Sequence, residues 1–182
     1  AEQGLAQAQY NLGVMYNNGR GVPEDDATAV KWYTKAAEQG DARAQSNLGY
    51  MYDIGRGVPE DDATAVKWYT KAAEQGLAGA QYNLGNMYDN GEGVPEDDAT
   101  AVKWFTKAAE QGYAKAQYNL GNTYDNGEGV PEDNVMAYMW WNLAAAQGYE
   151  SAKKNKGIVQ ESMTPADISK AQTLSRECLA ND

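Results

Sequence analysis

The chain overlies itself at a step of 36 residues, and that self-similarity constrains the fold more than any other feature. Residues 21–40 read GVPEDDATAVKWYTKAAEQG, and residues 57–76 repeat them letter for letter. Residues 93–112 repeat them with one change, Phe105 where Tyr33 and Tyr69 stand, and a looser copy occupies 129–148. Units of this length bury their apolar faces by stacking on neighbours, so the expected product is a long open surface in place of a closed catalytic pocket.

Each copy reads as two helices, which makes the expected fold all-α. Helix A spans roughly Ala6 to Asn17 in the first copy, and Gly19, like Gly55, Gly91 and Gly127, suits the left-handed conformation that ends a helix. A Gly-x-Gly-Val-Pro loop leads to Glu24-Asp25-Asp26, where an aspartate can cap the next helix and its neighbours favour the positive end of the dipole. Helix B runs to about Glu38, with Ala29, Val30, Trp32, Tyr33, Ala36 and Ala37 at helical spacing and Gly40 as its stop. Gly13, Gly49, Gly85, Gly121 and Gly157 recur inside helix A, where glycine costs about 1 kcal/mol relative to alanine. That cost implies a steric need, and Trp32, Trp68, Trp104 and Trp140 are the expected rings against those glycines.

The copies are placed at 5–40, 41–76, 77–112 and 113–148, within a single repeat domain 1–182. Residues 149–182 are expected to form a C-terminal cap, because Lys156 and Gln160 replace the apolar Leu12 and Tyr16 of the first copy. Thr164-Pro165-Ala166-Asp167 opens its last helix with a capping-box pattern, and Ile168, Ala171, Leu174 and Cys178 share one face. Ala1-Glu2-Gln3-Gly4 repeats Ala37-Glu38-Gln39-Gly40, so residues 1–4 are expected to be the tail of a preceding repeat in a longer protein.

Composition narrows the chemistry. The net charge is −11 and no histidine is present, which disfavours nucleic acid and anionic lipid and removes the commonest general base and metal ligand. Cys178 is the single cysteine, so neither an intrachain disulfide nor zinc-ligand spacing exists. No apolar run approaches the ~20 residues of a membrane span. No cofactor or metal site is expected, and the chain is read as a non-enzyme. The residues set no oligomeric state and no compartment.

The frame Ala8, Leu12-Gly13, Tyr16, Gly19-x-Gly21-Val22, Ala29, Trp32 and Ala36-Ala37 closely resembles the Sel-1-like repeat, a relative of the tetratricopeptide repeat with a longer inter-helix loop. The run from Ala137 to Leu179, with Trp140-Trp141-Asn142-Leu143 and Met163-Thr164-Pro165, is similar to the ending of many bacterial members. The resemblance implies a right-handed α-α superhelical solenoid of helix-pair repeats with a C-terminal capping helix, acting as a scaffold for protein complexes. Bacterial members are often exported, which implies an exported or periplasmic chain. One cysteine-rich branch of the family is linked to penicillin binding or hydrolysis, and this chain lacks that branch's paired cysteines.

Comparing the copies with one another points to a surface. Residues 5–40 and 41–76 differ at Leu5/Asp41, Gln7/Arg43, Tyr10/Ser46, Val14/Tyr50, Asn17/Asp53 and Asn18/Ile54. At about 100° per residue, most of these fall within roughly a 100° arc of helix A. Lys31, Thr34, Lys35 and Glu38 of helix B are also expected to be exposed, yet do not vary among the three close copies. Drift would touch both faces. Recent duplication of the helix B segment is the competing account.

In tetratricopeptide-like stacks helix A lines the concave side, so the resemblance places the partner-contacting positions there. In the first copy they are Gln7, Tyr10, Asn11, Val14 and Asn17, and in the second Arg43, Ser46, Asn47, Tyr50 and Asp53. The third contributes Tyr82, Asn83, Asn86 and Asp89, and the fourth Lys115, Tyr118, Asn119, Asn122 and Asp125. The asparagine row can bond a peptide backbone or bond within the scaffold. Tyrosines suit interface anchoring, and the aspartates match a basic partner. The expected partner is a protein or extended peptide.

Other motifs are fragmentary. Ser151-x-x-Lys154 matches the nucleophile motif of penicillin-recognising enzymes, but Ser-Asp-Asn and Lys-Thr-Gly are absent. Two further readings therefore stand beside the scaffold: a cell-wall-active enzyme using Ser151, and a spacer acting through end-to-end contacts.

Overall fold

The computed structural model describes residues 5–180, and the expectation placed on residues 1–4 lies outside them. Among the described residues there are α-helices and no strand. In chain order they are α1 (Ala6–Asn18), α2 (Asp26–Glu38), α3 (Ala42–Asp53), α4 (Asp62–Glu74) and α5 (Ala78–Asn90). They continue as α6 (Asp98–Glu110), α7 (Ala114–Asn126), α8 (Asn134–Ala146), α9 (Glu150–Gln160) and α10 (Pro165–Ala180). The chain divides into two compact units, Ala1–Glu96 with α1–α5 and Asp97–Asp182 with α6–α10.

Local chemistry sets the helix ends. Asp25 accepts from the Thr28 amide at 2.9 Å and its hydroxyl at 2.6 Å, and Asp61 with Thr64 repeats the cap. The Thr28 hydroxyl, then its amide, hold the Asp25 carboxyl below its usual range. Gly19 caps α1 at φ 63°, a left-handed conformation glycine adopts without a Cβ penalty. The second loop glycine has a different task. A Cβ on Gly57 would lie 2.6 Å from the Asp26 carbonyl carbon, so this loop seats on the start of the preceding helix B.

In the first unit each helix packs on its successor from α1 to α5. Ala29, Tyr33, Ala36, Ala37, Ala44, Leu48 and Met51 form one buried layer, and Ala65, Tyr69, Ala72, Ala73, Ala80, Leu84 and Met87 are buried at the equivalent places one repeat on. The alanine pairs let helix B approach the following helix A closely. In the second unit α8 is buried on most sides, and α7, α9 and α10 all pack on it. The Thr164–Asp167 capping box forms, with hydroxyl and carboxylate 2.6 Å apart.

The ring against the helix A glycine is one residue later than the sequence pattern places it. A Cβ on Gly13 would sit 2.5 Å from Tyr33 Cδ1, and on Gly49 2.8 Å from Tyr69 Cδ1. At Gly121 the facing ring is Trp141. Tyr33 lies midway between Ala29 and Ala37, at the centre of the buried stripe. Trp32 falls on its flank, half-buried, with the Lys35 ammonium 4.5 Å above its ring. Trp68 with Lys71 and Trp104 with Lys107 repeat that pairing at 4.6 and 4.2 Å. Trp140 is buried, but not against Gly121. The Gly157 position has no such need, since a Cβ there meets nothing within 4 Å.

Candidate functional site

The helix A positions expected to contact a partner fall into two exposure classes. Gln7, Asn11, Arg43, Tyr50, Lys115 and Asp125 are exposed. Tyr10, Val14, Asn17, Ser46, Asn47, Asp53, Tyr82, Asn83, Asn86, Asp89, Tyr118, Asn119 and Asn122 are half-buried. None lies in the interior, and the half-buried ones owe part of their position to contacts within the scaffold.

In the first unit, α1 and α3 are clasped side chain to side chain. The Arg43 guanidinium lies 4.5 Å above the Tyr10 ring, donates to Gln7 Oε1 at 2.5 Å and pairs with Asp41 at 2.7 Å. Tyr10 in turn leans on Tyr33 with ring centroids 6.0 Å apart, and Val14 packs on the same core. Between α3 and α5 the equivalent residues are Ser46 and Gly79, and a Cβ on Gly79 meets nothing within 4 Å. The clasp is replaced by a gap. Tyr50, 48% exposed, projects from α3 at the register where α1 carries Val14.

The asparagine row is partly committed to the scaffold. Asn47 bonds the Tyr33 hydroxyl, and Asn83 bonds the Tyr69 hydroxyl. Tyr69 donates to Asp53 Oδ2 at 3.1 Å, giving a chain Asn83–Tyr69–Asp53 beneath the surface. Burial, then the charge of Asp53, push the Tyr69 phenol far above its ordinary value. Burial also raises the Asp53 carboxyl; the Tyr69 hydrogen bond offsets part of this, while Glu92, Asp62 and Glu60 add to it. Asn11 lies exposed on α1 and accepts from Gln7 at 2.9 Å.

At the loop edge of the same unit, Arg56 donates to Asp26 Oδ2 at 2.7 Å and Glu24 Oε1 at 2.8 Å. Asn17 joins this network through Asp26 Oδ1 at 3.1 Å. One copy later Glu92 stands at the register of Arg56, so that edge carries carboxylates only.

In the second unit, Tyr118 stacks on Tyr149 with centroids 4.9 Å apart. Asn122 Oδ1 accepts from Trp141 Nε1 at 3.3 Å and from Asn155 Nδ2 at 3.2 Å. Asn155, from α9, is a site residue the sequence pattern did not single out, although it stands one 36-residue step beyond Asn119. Ser151 and Lys154 are both exposed on α9, and among the described residues no hydrogen bond joins them.

A buried glutamine row also went unnoticed in the sequence. Gln45 is 4% exposed, donates to the Ala37 carbonyl at 3.0 Å and accepts from Gln75 at 2.7 Å. Gln117 repeats this in the second unit with Ala109 and Gln147. Recurrence every 36 residues on an otherwise apolar side of helix A was the available signal.

Among the described residues no cluster of acidic, cysteine or histidine side chains could hold a metal ion, and no helix is long and apolar enough to cross a membrane. Comparison with known proteins places this architecture. The Sel1 repeat profile matches residues 6–41, 42–77, 78–113 and 114–149. The chain is 39% identical to c5321, a protective antigen of uropathogenic Escherichia coli strains with an SLR fold. That superposition has a TM-score of 0.90 and covers 98% of this chain but only 38% of the other. A Sel1 repeat protein from Oxalobacter formigenes is 36% identical, with a TM-score of 0.83, covering 97% of this chain and 74% of that one. Helicobacter pylori cysteine rich protein B is 25% identical with a TM-score of 0.51, over 61% of this chain and 86% of that one. No curated protein sequence matches the chain. Members of this repeat family are generally non-catalytic scaffolds that bind other proteins. With four consecutive repeats matched and the all-α helix-pair solenoid shared with these structures, the chain belongs to the Sel1 repeat family.

Proposed function

We propose that the chain is a non-catalytic interaction scaffold that holds a protein or extended peptide on the outward faces of its A helices. One observation carries this reading. The three close copies keep Lys31, Lys35 and Glu38 and their counterparts identical on exposed helix B, while the helix A face changes from copy to copy. A surface selected only for solubility has no reason to vary on one side alone.

The changes also alter what each copy offers. The first step along the face presents an arginine clasped on a tyrosine, and the next presents an open gap beside exposed Tyr50. A large aromatic with little rotamer entropy next to unfilled space suits an inserted partner side chain. The net charge of −11, with Asp53, Glu60, Asp62 and Glu92 gathered at one edge, favours a basic partner and argues against nucleic acid.

The test uses Gly79→Arg combined with Tyr50→Ala, since a Cβ at 79 meets open space and the fold tolerates the longer side chain. A partner recovered from the native host is expected to bind this variant at least about tenfold more weakly. Lys67→Ala, on exposed helix B, leaves binding unchanged. Equal retention by both variants would overturn the reading.

A further inference from the structure

In the second unit a cavity of about 120 Å³ opens between α7, α8 and α9, lined by Asp125, Trp141, Asn155, Ile158 and Val159. At the same register in the first unit the buried ring is Tyr69, whose hydroxyl reaches Asp53. Trp141 does not repeat that bond. Its indole N–H turns to Asn122, and Asn155 donates to the same oxygen. Among the described residues no donor is therefore left for the Asp125 carboxylate, and the Asn155 carbonyl oxygen has no donor either. The remaining wall is apolar. Val159 is 5% exposed, and Ile158, at the lip, is 60% exposed.

We propose that this cavity receives one cationic side chain, arginine or lysine, from a polypeptide partner. Its aliphatic stem packs on Ile158, Val159 and Trp141, and its charged end meets the Asp125 carboxylate and the Asn155 carbonyl. Who supplies the side chain rests on the scaffold reading; the cavity itself is testable without it.

The chemistry excludes other occupants. A neutral apolar group would further desolvate Asp125 without giving it a donor. An anion would face Asp125 and the nearby charge of Glu132. A flexible aliphatic cation satisfies both parts of the wall, because Lys and Arg carry a long apolar stem below a multi-donor head. Burial, and then Glu132, hold the Asp125 carboxyl above its ordinary value, so an arriving cation also releases any proton held there. The first unit already shows carboxylates at a loop edge taking up a guanidinium, where Arg56 meets Asp26 and Glu24.

The experiment titrates the isotopically labelled chain with blocked peptides Gly-Gly-Xaa-Gly-Gly, where Xaa is arginine, lysine, citrulline or norleucine. Nuclear magnetic resonance follows the Trp141 indole N–H and the Asn155 side-chain amide. The arginine or lysine peptide is expected to shift both signals saturably, with citrulline and norleucine weaker by at least about fivefold. Asp125→Asn is expected to weaken binding by a similar factor at a melting temperature that does not fall, and affinity is expected to rise with pH through the Asp125 titration. Equal binding of citrulline and arginine, or shifts spread over acidic residues with the indole unmoved, would overturn the proposal. If the cationic peptides bind here but host partners ignore the Gly79→Arg, Tyr50→Ala variant, the scaffold reading falls and the cavity stands. The reverse pattern removes the cavity alone.

Discussion

Gln75 donates to the Oε1 of Gln45 at 2.7 Å, while Gln45 donates to the Ala37 carbonyl at 3.0 Å. One buried side chain thereby stitches the ends of two successive B helices to the A helix between them. Gln45→Ala would remove both bonds and open a small cavity, with the Ala37 carbonyl keeping its bond from the Gly40 amide at 3.0 Å. The expected loss is about 2–3 kcal/mol, read as a lower urea midpoint.

The recurrent glycine of helix A should respond to alanine with opposite signs in different copies. Gly121→Ala drives a methyl into the Trp141 ring, which is 2% exposed and held by its bond to Asn122, so the ring can yield only by giving up that bond. Overpacking of this kind costs about 1–3 kcal/mol or more. Gly157→Ala meets open space, so the better helix former is expected to stabilise by up to about 1 kcal/mol. Paired thermal melts check the contrast.

Asp53 provides a pH test. Burial raises its carboxyl, with Glu92, Asp62 and Glu60 adding to the effect, so the folded chain holds that proton more tightly than the unfolded one. Such a group lowers stability as pH rises through its folded value, and the penalty fades toward the ordinary value of 3.8. Asp53→Asn still accepts from Tyr69 and is expected to stabilise by about 0.5 kcal/mol at neutral pH, since solvent screening limits a partly exposed group. Denaturation curves at neutral pH and near pH 3.8 should show the gain shrinking on acidification.

Glu92→Arg should recreate the clasp that Arg56 makes one copy earlier. Gly93 seats on Asp62 as Gly57 seats on Asp26, so the loop is already positioned for it. The expected gain is about 0.5–1 kcal/mol. It should shrink in about 1 M salt, where screening shortens the reach of the charges to roughly 3 Å.

The candidate surface was only half legible in the sequence. Variation among copies singled out Tyr50 and Arg43, which are exposed, because identity changes can be seen without coordinates. It could not tell that Asn47 and Asn83 bond the hydroxyls of Tyr33 and Tyr69, since those partners come from the preceding B helix. Nor could it show that Arg43 closes over Tyr10 while Gly79 leaves space. That difference depends on which side chains of successive A helices come side by side.

The repeat period, the helix pairs, the aspartate caps and the glycine stops follow from residues close in sequence, because hydrogen bonds within a turn or two decide them. Whether Trp32 or Tyr33 meets Gly13 is another matter. In the sequence both belong to one broad apolar stripe, separated by about 100° of rotation. Only the crossing of helix B over helix A selects between them. The glutamine row shows the same division: a polar residue reads as solvent-facing until tertiary packing brings a helix-end carbonyl against it.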